Sequence, residues 1–424
     1  MSESLFDALA WRGLISQSTD QAALKRHFEA GPVTYYCGFD PSAPSLHIGN
    51  LVQILTLARI QQAGHYPLAL VGGATGLIGD PKMTGERTLN DPDLVAGWVE
   101  RIRRQIAPLL DFDGAFKARM VNNLDWTAGL GAIDFLRGVG QHFRLSTMLA
   151  KETVARRLAS EQGISFTEFS YQVLQGMDFL ELSRRYGCTL QTGGNDQWGN
   201  LLGGVELIHK ADGKTVHAFT TPLITKADGT KFGKTESGTV WLDPAMTTPY
   251  AFHQFWLGQA DADAPGYLKV FTFRSPEEID ELAAATAERP QDRAAQKALA
   301  WDVTVLVHGE HAARQADHAA RALFGAGSLQ DLDADTLASA VAELPTAKVT
   351  PADGEVTVVD ALAASGVEKS KGAARRTLAS GGVYVNNAKV TDPDAVLTPE
   401  DFLHGRYALL RRGRKTLAVA ERVA

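Results

Sequence analysis

Residues 33–50 read Val33-Thr-Tyr-Tyr36-Cys37-Gly38-Phe39-Asp40-Pro41-Ser42-Ala-Pro44-Ser-Leu-His47-Ile-Gly49-Asn50, and the change of period within them decides the fold. Residues 33–39 are β-branched and aromatic, the composition of a strand. Asp40 to Pro44 carry the Pro and Ser of a turn. From His47 onward Ile48, Leu51, Val52, Leu55 and Ala58 recur every three and four residues, the period of a helix, which Gly64 ends. Tyr66 to Val71 returns to strand composition. A strand, a helix and a strand in that order open a parallel sheet. Further strand candidates at Ala118–Val121, Thr189–Thr192 and Val216–Thr221 are separated by long helical stretches. Residues 1–220 are therefore expected to form an α/β, doubly wound (Rossmann-like) parallel-sheet domain with an insertion after its first half.

Beyond it, 221–246 reads as a mobile loop region, and 247–330 as an all-α domain. Its alanine-rich amphipathic runs, Gln291–His308 and Glu310–Phe324, lack strand alternation. Residues 331–355 read as a linker, and 356–424 as a small α+β domain. The 424 residues suit several domains. The net charge of −7 excludes a basic nucleic-acid coat protein, but the charge is uneven: 356–424 carry 11 Lys/Arg and 7 Asp/Glu, leaving 31 against 42 in 1–355. An acidic body thus carries a basic tail. Two distant cysteines, Cys37 and Cys188, and scattered histidines offer neither a disulfide framework nor a zinc cluster. Apolar windows such as Leu68–Ile78 are short and broken by glycine, so no membrane span is expected. Without a signal-peptide pattern at Met1, a cytoplasmic protein is expected.

Two short motifs can carry chemistry. His47-Ile-Gly49-Asn50 starts a helix, where backbone N–H groups favour phosphate and Gly49 admits close approach; alone it also reads as a surface cap. Lys226-Ala-Asp-Gly229-Thr-Lys231-Phe232-Gly233-Lys234-Thr235 places two lysines three apart in a glycine-punctuated loop, able to converge on a polyphosphate or to be only a solvated basic loop. A third run, Gly72-Gly73-Ala-Thr-Gly76-Leu-Ile-Gly79, lacks the GxGxxG spacing of a dinucleotide site. Asp40 and Asp80 read weakly as a metal pair.

Together, His47-Ile-Gly-Asn and Lys231-Phe-Gly-Lys-Thr resemble the two signature sequences of class I aminoacyl-tRNA synthetases. Tyr36-Cys37-Gly38-Phe39-Asp40-Pro41, Gly79-Asp80-Pro81, Tyr171-Gln-Val-Leu-Gln175-Gly-Met-Asp178 and Gly193-Gly-Asn-Asp196-Gln197-Trp198-Gly-Asn200 narrow the resemblance to the bacterial tyrosyl-tRNA synthetase family. The resemblance spans essentially the whole chain. It implies activation of L-tyrosine by ATP, with Mg2+ and without a tightly protein-ligated metal, followed by transfer to tRNA(Tyr), and it implies a homodimer. It further implies that Tyr36 and Asp178 bind the substrate phenol. Tyr171, Gln175 and Asp80 surround the ammonium, and Asp40 and Gln197 lie by the carboxylate. Cys37 and Asp196 lie by the ribose; Gly38, Gly49, Asn50 and Thr235 complete the ATP site. Ser42 and His47 touch the outer phosphates, and Lys231, Lys234 and Arg87 the departing pyrophosphate. Two positions depart from the family pattern. Asn50 stands where class I members have histidine, and the loop Lys82-Met-Thr-Gly-Glu86-Arg87 is a residue short, so Lys82 has no assigned role.

The tail resembles a small RNA-binding module at the C-terminus of these synthetases. Glu368-Lys-Ser-Lys-Gly-Ala-Ala-Arg-Arg376 opens a helix and Gly381-Gly-Val-Tyr-Val-Asn-Asn-Ala-Lys389-Val reads as a hairpin. Lys369, Lys371, Arg375, Arg376, Arg411, Arg412, Arg414 and Lys415 are the expected phosphate-facing cations. Arg144, Lys151, Arg156 and Arg157 form a second basic cluster, expected to meet the tRNA acceptor stem. A tryptophan-specific relative is disfavoured, because Tyr36 with Asp178 would leave two polar groups against an indole.

Overall fold

Six strands form one sheet: Gln17–Ser18 (β1), Thr34–Phe39 (β2), Tyr66–Val71 (β3), Arg119–Asn122 (β4), Leu190–Gly194 (β5) and His217–Thr221 (β6), in spatial order β1-β6-β5-β2-β3-β4. In this computed structural model the described residues are 4–81, 89–161, 163–227, 229–230, 232–235, 238–342, 344–350, 356–413 and 416–423, with only the backbone of Lys234 and Thr235. Strands β2 to β6 are parallel and β1 runs antiparallel on the β6 edge. The order reverses between β5 and β2, paired through Tyr35–Leu190, Tyr36–Gln191 and Cys37–Thr192. In open parallel sheets the crevice beyond the strand ends at such a reversal holds ligand. The sequence motifs at Asp40 and Asp196 lie just beyond those two ends.

Helix Ile48–Gln62 (α1) makes the β2–β3 crossover. Its apolar spacing predicts one buried face, but Ile48, Leu51, Ile54, Leu57 and Ile60 are buried around its circumference. Segment 264–274 accounts for this, since buried Arg59 donates to Thr272 O at 2.6 Å. Helix Phe166–Tyr186 (α2) starts at Ser165, whose hydroxyl accepts from Glu168 N, and ends at Gly187 with φ 64°. Its spacing puts Tyr171, Gln175 and Asp178 on one face. Helix Trp198–Asp212 (α3) follows β5.

The chain divides into two compact units, Met1–Met246 with Ala260–Ala295, and Thr247–Gln259 with Gln296–Ala424. The division has a break at 246/247, where the helical domain was expected to begin, but Ala260–Ala295 return to the first unit and no break falls at 330. Helices Ala264–Phe271 and Pro276–Glu288 belong to the first unit, where Arg12 donates to the carbonyls of Lys269 and Arg274 and Tyr267 Oη to Thr225 O.

In the second unit the helical run Ala294–Ala322 breaks at Gly309 (φ 85°, ψ 163°). The expected linker 331–355 holds helix Ala334–Val341 and strand Thr346–Val349 (β9), so its Pro-, Thr- and Gly-rich composition misled. Two short strands at Lys234–Thr235 (β7) and Gly238–Thr239 (β8) precede it in the chain and pair in the first unit. Strand β9 pairs in parallel with Thr416–Arg422 (β13) in a sheet completed by Val383–Val385 (β10), Ala388–Val390 (β11) and Tyr407–Arg412 (β12), in order β11-β10-β12-β13-β9. Asn386 and Asn387, at φ 46° and 66°, make the β10–β11 turn that the hairpin reading anticipated. Leu409, Leu417 and Val419 pack with Ala319, Leu323 and Leu337, so strands and helices of this unit share a core.

Candidate active site

The two signature motifs, which begin 184 positions apart at His47 and Lys231, are brought together by backbone. Ile48 N donates to Val240 O at 3.2 Å, Leu242 N to Leu46 O at 2.8 Å, and Val240 N to Gly233 O at 3.2 Å. Gly233 is at φ 88°, and a Cβ there would lie 2.9 Å from Ile48 Cγ1, so glycine is required twice over. Phe232 packs on Tyr267 at a 4.5 Å centroid separation. His47 caps α1: its Nδ1 accepts from Gly49 N at 3.0 Å while Asn50 Oδ1 accepts from His47 N at 3.1 Å. Asn50 thus closes a reciprocal cap, a structural use for the residue that departs from the class pattern. Ser42, His47 and Gly49 are exposed at this end.

A buried web lies beneath. Asp40 accepts from Thr75 Oγ1 at 2.7 Å and Tyr171 Oη at 2.8 Å. Asn123 Nδ2 donates to Thr75 Oγ1 and to Asp178 Oδ2, each at 3.0 Å, and Trp126 Nε1 donates to Asp178 Oδ1 at 2.9 Å. Burial pushes the Asp178 carboxyl up to about 7, against the pull of its two donors. Tyr36, 1% exposed, presents a buried hydroxyl with no hydrogen-bond partner among the described residues. Burial first, then the Asp178 charge, raise its phenol well above the ordinary value. Gln175 Oε1 is likewise buried and unpartnered, on the same α2 face. The glycine run after β3 makes room for this web: a Cβ at Gly72 would lie 2.1 Å from Asp40 Oδ1 and one at Gly76 2.5 Å from Pro41 Cγ.

At the β5 end, Gln197 Nε2 donates to Asp80 Oδ2 at 3.0 Å and Asp196 Oδ2 at 3.3 Å, and Asn200 Nδ2 donates to Gln197 Oε1 at 3.0 Å. Cys37 is a buried thiol, pushed up to about 12 by burial, with Sγ 3.9 Å from Gln53 Oε1, whereas Gly38 is exposed. Arg87, Lys82 and Lys231 lie outside the described residues, as do the side chains of Lys234 and Thr235 and all of Arg414 and Lys415. Asp40 is engaged by a threonine and a tyrosine, and Asp80 by a glutamine; among the described residues no three His, Cys, Asp or Glu side chains group to hold a metal.

Some expected cations are used internally. Arg157 is 1% exposed, paired with Glu168 at 2.8 Å and donating to Gly163 O, so it does not belong to a phosphate-facing cluster. Arg144 and Arg156 are exposed, and Lys151 is half-buried. Arg411 is buried, stacked 4.0 Å over Tyr384 and donating to Gly413 O, which removes it from the RNA-facing set. Lys369, Arg375 and Arg376 are exposed; Lys371 and Arg412 are exposed too but paired with Asp360 and Glu368. Sequence reasoning missed Thr75, Asn123 and Trp126, which hold the two central carboxylates. Their only sequence signal is an Asn-Asn pair at the end of a strand.

Residues 29–325 match the family described as class I tRNA synthetases (W and Y), and 336–420 the tyrosine–tRNA ligase SYY-like C-terminal domain. The chain belongs to the tyrosine–tRNA ligases of class I. It is 64% identical to a tyrosine–tRNA ligase of Streptomyces avermitilis, with 98% of each chain covered, and 55% identical to one of Mycobacterium bovis over the full length of both. A C-terminally truncated mitochondrial tyrosyl-tRNA synthetase of Coccidioides posadasii superposes with a TM-score of 0.67 at 33% identity, covering 74% of this chain and 91% of that one. The α/β class, the parallel sheet and the ligase assignment drawn from the sequence hold. No helix among the described residues is long and apolar enough to cross a membrane.

Proposed function

We propose that the chain joins L-tyrosine to ATP, releasing pyrophosphate, and then passes the tyrosyl group to the 3′ end of tRNA(Tyr). The observation that carries this is the buried Tyr36 hydroxyl, without a partner among the described residues, beside a buried Asp178 at the reversal of the parallel sheet. A phenol entering there satisfies both, donating to the carboxylate and accepting from Tyr36; phenylalanine satisfies neither, and an indole, whose N–H donates but which offers no acceptor, cannot satisfy both. Tyr171, Gln175 and Asp80 take the α-ammonium, with Asp40 and Gln197 by the carboxylate. Cys37, Gly38 and Asp196 border the ribose.

The substrate carboxylate oxygen attacks the α-phosphorus, forming the mixed anhydride as the Pα–O–Pβ bond breaks and pyrophosphate leaves. No enzyme nucleophile is needed, so the site works by positioning and charge stabilisation. The Gly49 amide on Nδ1 fixes the neutral His47 proton on Nε2, the donor suited to a phosphate oxygen together with Ser42. Lys231, Lys234 and Arg87 supply the pyrophosphate cations. Magnesium travels with the ATP phosphates, whose charge it shields. Exposed Lys369, Arg375 and Arg376 meet tRNA phosphate, as does Arg144 in the catalytic unit. A homodimer is supported by the exposed apolar side chains Ile133, Leu136, Leu145, Leu158 and Phe166, close together in sequence.

ATP–pyrophosphate exchange across the twenty amino acids tests the reading. Exchange with tyrosine alone is expected; exchange with another amino acid, or none, rejects it.

A further inference from the structure

Lys151 was expected from the sequence only as a cation for the tRNA acceptor stem, yet its ammonium ends a chain of hydrogen bonds that reaches the ammonium site. Lys151 Nζ donates to Asn200 Oδ1 at 3.1 Å, Asn200 Nδ2 to Gln197 Oε1 at 3.0 Å, and Gln197 Nε2 to Asp80 Oδ2 at 3.0 Å. An ammonium can only donate and a carboxylate can only accept. Between those ends each amide has one orientation that makes both of its bonds, so the direction of the whole chain is set by its termini. Were Gln197 to turn over, its carbonyl oxygen would face the Asp80 carboxylate.

We infer that Lys151 is a positioning residue for tyrosine: through Asn200 it fixes the amide of Gln197 so that an N–H, not a carbonyl, braces Asp80 in the ammonium site. The contact is built into the fold. The Lys151 stem lies against Gly199, where a Cβ would meet Lys151 Cε at 3.5 Å. Its amine also borders a cavity of about 180 Å3 lined by His142, Arg144, Glu206 and Lys210. Burial lowers Lys151 to about 8, while the charges of Asp80 and Glu206 act in the opposite direction. The relay therefore begins from a group whose charge falls as pH rises through that value, with Arg144, Lys210 and His142 as the other charged or titratable neighbours across the cavity.

The inference rests on the tyrosine-activating reading, and pyrophosphate exchange without tRNA separates the two. It also keeps any RNA contact of Lys151 out of the measurement. Lys151→Met and Asn200→Leu should each raise the tyrosine KM roughly tenfold, the scale of weakening a hydrogen bond to a charged group, with kcat within about twofold. Because both cut one chain, Lys151→Met/Asn200→Leu should raise KM no further than either alone, whereas two separate structural lesions would multiply. The KM ratio of Lys151→Met to the parent should shrink as pH rises from 7 to 9, the amine of the parent losing its charge. Parent exchange with tyrosine but unchanged KM in either single variant, or multiplicative effects in the double, overturns the relay. Absence of tyrosine-dependent exchange in the parent overturns the reading beneath it.

Discussion

Replacing Tyr36 by phenylalanine should move stability and affinity in opposite directions. The ring is 1% exposed, set against Phe179 at 5.3 Å between centroids, and the substitution leaves that packing in place. It removes one hydroxyl that has no partner among the described residues. A buried polar group without a partner costs about 1–3 kcal/mol, so the substrate-free protein should gain ~1 kcal/mol or more. The substrate phenol loses one neutral hydrogen bond, worth about 0.5–1.5 kcal/mol, which is roughly 2- to 12-fold in affinity. Phenylalanine has no hydroxyl to lose, so the tyrosine-over-phenylalanine ratio of kcat/KM should fall by the same factor. Urea unfolding of the free protein reads the first effect and pyrophosphate exchange with the two amino acids the second. A destabilised variant, or one that keeps the parental preference, refutes the assignment of Tyr36 as a hydroxyl held in reserve for the substrate.

Asp178→Ala should act differently, because Asn123 Nδ2 and Trp126 Nε1 lose their acceptor. Each stranded donor costs about 1–3 kcal/mol, offset in part by removing a carboxyl that burial holds at about 7; a lower urea midpoint and no preference for tyrosine over phenylalanine are expected, and a raised midpoint argues against the web. Arg157→Met takes the buried cation away from buried Glu168, so a loss of about 3–5 kcal/mol should appear in unfolding, whereas Arg156→Ala, on an exposed helical pair, should change it by under ~1 kcal/mol. His27, His65 and His217 are all lowered, chiefly by burial, with the charge of His27 acting on the other two and Asp20 opposing at His217. A lowered histidine binds fewer protons folded than unfolded, so stability is full above the unfolded value of about 6.5 and is lost as pH falls below it. The difference in urea midpoint between His217→Asn and the parent should therefore narrow or change sign from pH 7.5 to 5.5, and a constant difference would remove His217 from the acid response; comparison at each pH cancels the opposite trend of Asp178.

The parallel sheet was legible because its information is local. The period change between Phe39 and His47, and its repetition from Tyr66, need no knowledge of distant residues. The same holds for α2, where positions 171, 175 and 178 share a face by helical geometry alone. What composition could not give was any pairing across sequence. Arg157 and Arg411 read as surface cations because lysine and arginine usually are; only Glu168 and Tyr384, 11 and 27 positions away, turn them inward. The segment 331–355 read as a linker because a strand paired to a distant partner carries little pattern of its own: β9 has four residues and finds its register from β13.

The same asymmetry explains which part of the site a sequence exposes. Residues proposed to touch substrate sit in compact motifs, since a ligand at a strand end meets consecutive backbone positions. Residues that orient them come from wherever the fold delivers a donor. Asn123 reaches Asp178 across 55 positions and Thr75 across 48, and neither separation has a period to detect. The glycines after β3 invert the usual inference. Gly72, Gly73 and Gly76 lack the spacing of a dinucleotide site, and the space they leave is filled by Asp40, Asn122 and Pro41. A missing side chain records that something comes close, and the partner must be found in three dimensions before a ligand is assumed. Here the polar atoms without a partner among the described residues, Tyr36 Oη and Gln175 Oε1, support the proposed tyrosine site more directly than any glycine does.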